Sequence, residues 1–228
     1  MTWALTGSEK EIDVRIAIVV FPGFTALDAI GPFEVLNRLP GADLEFVAET
    51  RGRVANDSGA IVMQIERLLT ELTDPDIVVV PGGPGTRPLA ASPGPLVEWI
   101  AAAHRTTRFT TSVCTGSLLL GAAGLLDGLE ATTHWAVLPS LALFGATPVS
   151  RRVVVQGKVI TAAGVSAGID MALHLAASLA GEDVARGIQL AIEYDPDPPF
   201  DSGSPDKADP SLVDRVRRGT APVAAPVR

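Results

Sequence analysis

The chain holds one cysteine among 228 residues, and the residues around it give the thiol a chemical setting. Phe109-Thr110-Thr111-Ser112-Val113 is a β-branched and aromatic run, Cys114 follows directly, and Thr115-Gly116-Ser117 opens an apolar segment with helical spacing. That order predicts a strand, a sharp turn and a helix. A thiol at such a turn meets free backbone N–H groups and the positive end of a helix dipole, which lowers its pKa and supplies thiolate near neutral pH. Cys114 is therefore the candidate nucleophile, whereas a cysteine without this context reads as a small apolar filler. Thr115 can offer a backbone N–H and a hydroxyl at the head of the same helix, so it is assigned to positioning substrate or intermediate. The loop Pro81-Gly82-Gly83-Pro84-Gly85 ends an apolar strand, where open α/β sheets place their ligands. Gly82 and Gly83 are expected to present backbone donors to an intermediate, as an oxyanion pocket does. His134, beside Trp135, is a candidate for substrate binding, and a neutral structural histidine is the competing reading. Asp28 falls in the first turn of a predicted helix, where a carboxylate favours the dipole.

These residues need a scaffold, and the pattern of the chain supplies one. Residues 14–20 are almost continuously β-branched, as in a parallel strand covered on both faces. Further strands are predicted at 44–49, 61–65 and 76–80, with a hairpin over 153–162 turning at Gln156-Gly157. Helices are predicted at 25–39, 95–104, near 139–144, from Gly168 to about 180, and at 183–194. Alternating strands and helices imply a layered α/β domain with a mainly parallel central sheet and an added β-hairpin. The expected organisation is an N-terminal extension (1–13), one domain (14–194), and a tail (195–228) rich in Pro, Asp and Ser that runs extended over the domain surface.

Composition narrows the partners. A net charge of −8 argues against phosphate-backbone binding, so nucleic acid is not expected. No apolar run approaches the roughly 18 to 20 residues that cross a bilayer. Glu9, Glu11 and Asp13 precede the first apolar stretch, unlike the basic start of a secretory signal, and a single cysteine fits a reducing, cytoplasmic setting. One cysteine and three histidines show no ligand-like spacing, so neither a metal nor an organic cofactor is expected.

Several stretches occur together in a recognisable order: Leu27-Asp28-Ala29-Ile30-Gly31-Pro32, Val80-Pro81-Gly82-Gly83, Thr111-Ser112-Val113-Cys114-Thr115-Gly116-Ser117, Ala131-Thr132-Thr133-His134-Trp135 and Ala167-Gly168-Ile169-Asp170. In this the chain resembles the ThiJ/PfpI superfamily, of class I glutamine amidotransferase-like fold, and most of all its isocyanide hydratases. The likeness reaches into the tail at Tyr194-Asp195-Pro196-Asp197-Pro198-Pro199-Phe200 and Gly203-Ser204-Pro205-Asp206. The resemblance implies a flavodoxin-like three-layer sandwich, a homodimer, Cys114 as nucleophile and Asp28 as its acidic partner. It also implies hydration of an isocyanide, R–NC, to an N-substituted formamide through a covalent thioimidate. Thr115 stands where protease-like members carry a histidine, and Asp28 where deglycase and chaperone members carry a glutamate. A glyoxalase or deglycase acting on reactive carbonyls, and a non-catalytic sensor or regulatory domain, are the competing implications.

Overall fold

A computed structural model describes residues 12–220, and its elements follow the apolar runs of the sequence. β1 (Val14–Val19) leads to α1 (Ala26–Leu36), β2 (Ala42–Ala48), the hairpin strands β3 (Gly52–Ala55) and β4 (Val62–Ile65), and the two-residue β5 (Arg67–Leu68). β6 (Ile77–Val80), α2 (Thr86–Ala91), α3 (Pro95–His104), β7 (Phe109–Val113) and α4 (Gly116–Ala122) follow. The remainder holds β8 (Glu130–Ala131), a 3-10 helix (Trp135–Phe144), β9 (Thr147–Pro148), β10 (Val153–Gln156) and β11 (Val159–Ala162). It closes with α5 (Ala167–Ala180), α6 (Glu182–Ala191) and α7 (Pro210–Arg218).

Seven strands form one sheet in the order β10-β11-β7-β6-β1-β2-β5. Every neighbouring pair is parallel except β10 and β11, which are antiparallel across the Gly157 turn. β6 is buried at all its positions and β1 at all but Arg15, because helices cover both faces of the sheet. Each fully buried Val or Ile there contributes roughly 1.5–3 kcal/mol. α1 and α5 pack together on one side, while α2, α3 and α4 form a second group over β6 and β7. This is the expected α/β sandwich. Gly168 sets the closeness of α5 to the sheet: a Cβ there would lie 3.0 Å from the Val113 side chain and 3.2 Å from Pro32. The C-terminal ends of β1, β6, β7 and β11 consequently converge, and the loops leaving them carry the candidate residues.

The structure also differs from the sequence reading. Residues 210–218 are not extended but form α7, with the Asp209 side chain accepting from the Ser211 N–H at 2.8 Å and Pro210 at the first helical position. α2 and β3 were not anticipated, and the short helix expected near residue 139 begins earlier, at Trp135, as a 3-10 helix. The parts of the expected extension and tail at residues 1–11 and 221–228 lie outside the described residues.

Candidate active site

Cys114 sits between β7 and α4 with φ 56°, one of two non-glycine residues with positive φ among those described. A left-handed backbone disfavours any side chain, so something must hold it. Its N–H donates to the carbonyls of Ala163 (2.7 Å) and Ala162 (3.1 Å), and its carbonyl accepts from the hydroxyls of Thr133 (2.8 Å) and Ser117 (3.2 Å). Gly116 completes the turn, because a Cβ there would stand 2.1 Å from the Val80 carbonyl oxygen. The elbow is thus clamped on β11, β6 and the Thr133 loop. Cys114 is 6% exposed.

Asp28, fully buried in the first turn of α1, points into the same place. The Gly82 N–H donates to its Oδ2 at 2.9 Å, and Oδ1 has no hydrogen-bond partner among the described residues. Gly82 fits only without a side chain: a Cβ would be 2.5 Å from the Thr115 nitrogen and 2.8 Å from Asp28 Oδ2. The Gly83 N–H donates to the Thr115 hydroxyl at 2.8 Å, and Thr86 Oγ1 lies 2.7 Å from the Gly83 carbonyl and 3.0 Å from Thr115 Oγ1. The two N–H groups expected to face an intermediate are therefore both engaged inside the protein. They fix Asp28 and Thr115 instead. The Thr115 hydroxyl is likewise committed to the Gly83 loop, and what Thr115 presents to the sulfur is its backbone N–H.

Burial governs the protonation of the pair. It pushes the Asp28 carboxyl up to about 7, against the Gly82 N–H and the Cys114 thiol, which favour the carboxylate, and with a further push from the Asp57 charge. Burial and then the charge of Asp28 push the Cys114 thiol up to about 12, although the N–H groups of Thr115 and Val165 pull the other way. Desolvation beside a carboxyl thus opposes the thiolate that the helix start favours. Val165 was not singled out in the sequence, because a backbone N–H carries no residue-type signal.

His134 caps the 3-10 helix, its Nδ1 accepting from the Ala136 N–H at 3.3 Å. Burial first, and the Arg87 guanidinium second, lower its pKa and keep the ring neutral. Its ring lines a cavity of about 500 Å³ with Leu27, Trp135, Leu138 and Pro205. Cys114 does not itself line the cavity, but Leu27, Thr133 and Val165 do, and each adjoins the thiol or its acid. A more open groove of about 340 Å³ between α5 and α6 lies away from the thiol and contains His174 and Asp170. Asp170 there pairs with Arg152 and accepts from the Tyr194 hydroxyl at 3.2 Å, a structural arrangement. Among the described residues no group of three or more His, Cys, Asp or Glu side chains could hold a metal ion.

Comparison with known proteins identifies relatives over most of the chain. The chain is 44% identical over 211 residues to an isonitrile hydratase of Pseudomonas putida, spanning 92% of this chain and 91% of that one. A crystal structure of a ThiJ/PfpI family protein from Pseudomonas syringae superposes with a TM-score of 0.88 at 38% identity, covering 91% of this chain and 86% of the other. Drosophila melanogaster DJ-1beta shares the fold, with a TM-score of 0.71 at 19% identity over 80% of this chain and 98% of its own. With residues 14–178 matching that family as a unit, the chain belongs to the DJ-1/PfpI family.

Proposed function

We propose that this protein hydrates isocyanides, R–NC, to N-substituted formamides, with Cys114 as nucleophile and Asp28 as general acid and base. The observation that carries the reading is the buried, coupled Cys114–Asp28 pair beneath a cavity of small-molecule size, supported by the 44% identity to an isonitrile hydratase. The reactive form of the pair holds one proton, shared between sulfur and carboxyl. As sulfur bonds to the terminal carbon, that proton passes by way of Asp28 to the same carbon, giving the thioimidate R–N=CH–S–Cys114. The Asp28 carboxylate then takes a proton from water as its oxygen adds to that carbon, the nitrogen is protonated, and the C–S bond breaks to release R–NH–CHO and the thiol. Substrate and water account for every atom.

In this scheme the N–H groups of Thr115 and Val165 stabilise negative charge on sulfur. Gly82 and Gly83 hold the acid and the Thr115 backbone in place. His134 contributes a neutral wall to the substrate cavity. We take the working form to be a cytoplasmic homodimer built on residues 14–194, with light scattering as its check. The direct test of function incubates the purified protein with phenyl isocyanide and, separately, with methylglyoxal, and follows N-phenylformamide and lactate. Formamide production with no lactate is expected. Lactate alone would replace the reading with a glyoxalase, and neither product would remove the hydratase.

A further inference from the structure

The chain continues well past residue 178, where its match to the family ends, and the added segment returns to the catalytic face. Gly203, Ser204, Pro205 and Asp206 form part of the wall of the 500 Å³ cavity, which His134 and Val165 also line. This strap is ordered by its own bonds: Lys207 pairs with Asp201 at 2.7 Å, and the N–H groups of Lys207 and Ala208 donate to the Ser204 carbonyl at 3.1 and 3.0 Å. Beyond it α7 rests on Trp135, with the Arg217 guanidinium 5.5 Å from the ring centroid. Leu212, Val213 and Val216 share with Trp135 and Pro205 a second hollow of about 180 Å³, and no residue of α7 is buried. Trp135 therefore does two things at once, lining the cavity and anchoring the helix that holds the strap.

We propose that the 203–206 strap is the specificity wall of the site, packing against the nitrogen substituent of the isocyanide and selecting uncharged groups about the size of an aromatic ring. The inference rests on the hydratase reading. With the terminal carbon at Cys114, the substituent must trail outward, and the space open to it is far larger than a methyl group. Leu27, Trp135, Leu138, Val165 and Pro205 give that space an apolar side, facing a polar one that includes Thr132, His134 and Ser204. Its two arginines do not recruit an anion: Arg151 pairs with Glu130 and Arg152 with Asp170, while Asp206 adds a negative charge to the rim. A carboxylate-bearing substituent is thereby disfavoured. α7 supplies the hold, and none of its residues lines the cavity, so a substitution in it can free the strap while leaving the elbow and every cavity side chain in place.

The test compares kcat/KM for phenyl isocyanide and methyl isocyanide in wild type, Leu212→Asp and Arg217→Ala. Leu212→Asp is expected to lower the phenyl-to-methyl ratio about tenfold, with the methyl value within about twofold of wild type. Arg217→Ala should move the ratio the same way by a smaller factor, and it decides the matter should circular dichroism show Leu212→Asp unfolded. An unchanged ratio, or a parallel loss for both substrates, overturns the proposal and makes the tail a structural support only. Should wild type hydrate neither isocyanide, the hydratase reading fails, and the wall is judged by labelling of Cys114 with N-phenylmaleimide against iodoacetamide. Loosening α7 should then speed the phenyl reagent severalfold relative to iodoacetamide, and equal ratios in both proteins overturn the wall.

Discussion

The elbow and the strap face one cavity and are built in opposite ways. At the elbow Asp28, Cys114 and Thr115 are at most 6% exposed, backbone groups and buried hydroxyls hold them, and Gly82 and Gly116 leave no room for a Cβ. At the strap a backbone turn is joined by exposed side chains, an ion pair and a cation over a ring, and no residue of α7 is buried. Groups that share a proton must be held to fractions of an ångström, whereas a wall that sorts substituents by size needs only to exclude volume. A substitution is therefore expected to cost more turnover at the elbow than at the strap.

The sharpest way to break that contrast is Cys114→Ala. Hydration should fall to background while far-UV circular dichroism and Tm stay near wild type, since alanine carries the same left-handed strain, about 1–2 kcal/mol, that cysteine already carries. More than a few per cent residual turnover would take the nucleophile role from Cys114. Next in size is Asp28→Asn, expected to lose about 10²- to 10⁴-fold in kcat with iodoacetamide labelling of Cys114 retained, while Asp28→Glu remains measurable. Asn activity close to wild type would mean that the proton comes from solvent.

The same variant has a stability signature. Asp28 titrates at about 7 in the fold, above its ordinary 3.8, so ionising it opposes folding. Its stabilising contribution is complete below 3.8 and lost as pH rises through about 7. Asp28→Asn should thus be more stable than wild type at pH ~8, by roughly 2–4 kcal/mol, and the gap should close near pH ~4. Thermal melts at the two pH values check it. An equal gap at both would place the difference in packing.

Gly82→Ala should lower kcat about 10- to 100-fold, because the methyl collides with the Thr115 nitrogen and with Asp28 Oδ2. Gly59→Ala is its control: nothing lies within 4 Å of a Cβ there, so its φ of 73° should cost only about 1 kcal/mol of stability and no activity. The smallest effect belongs to Asp57→Asn. The pair becomes reactive on losing its first proton, so kcat/KM should rise with pH through about 7. Asp57 raises that titration, and removing its charge should move the acid limb down by a fraction of a pH unit. A shift upward would contradict the sign.

Much of this was legible in residue order. The β-branched run before Cys114 and the Thr-Gly-Ser step after it announced a strand, turn and helix, because periodicity and glycine placement are local signals. The burial of Asp28 was legible only through resemblance, since an acid in a first turn is ordinarily a surface feature. What each N–H faces was not legible at all: Gly82 and Gly83 turned inward to Asp28 and Thr115, and Val165 turned toward the sulfur. Backbone direction is decided by tertiary closure, and residue type does not record it. α7 could have been found, for Asp209 before Pro210, with Arg215, Arg217 and Arg218 at the end, is a helix with both ends marked. The proline and aspartate content of the preceding stretch masked it.

The left-handed turn at Cys114 also limits what the position can become. At φ 56° a β-branched side chain collides with its own backbone, while small residues and asparagine or aspartate are tolerated. Of the two hydroxyl side chains that chemistry would accept in place of sulfur, serine can enter this turn and threonine cannot. A selection for an oxygen nucleophile here therefore has one amino acid to find, and a codon change leading to threonine closes the route.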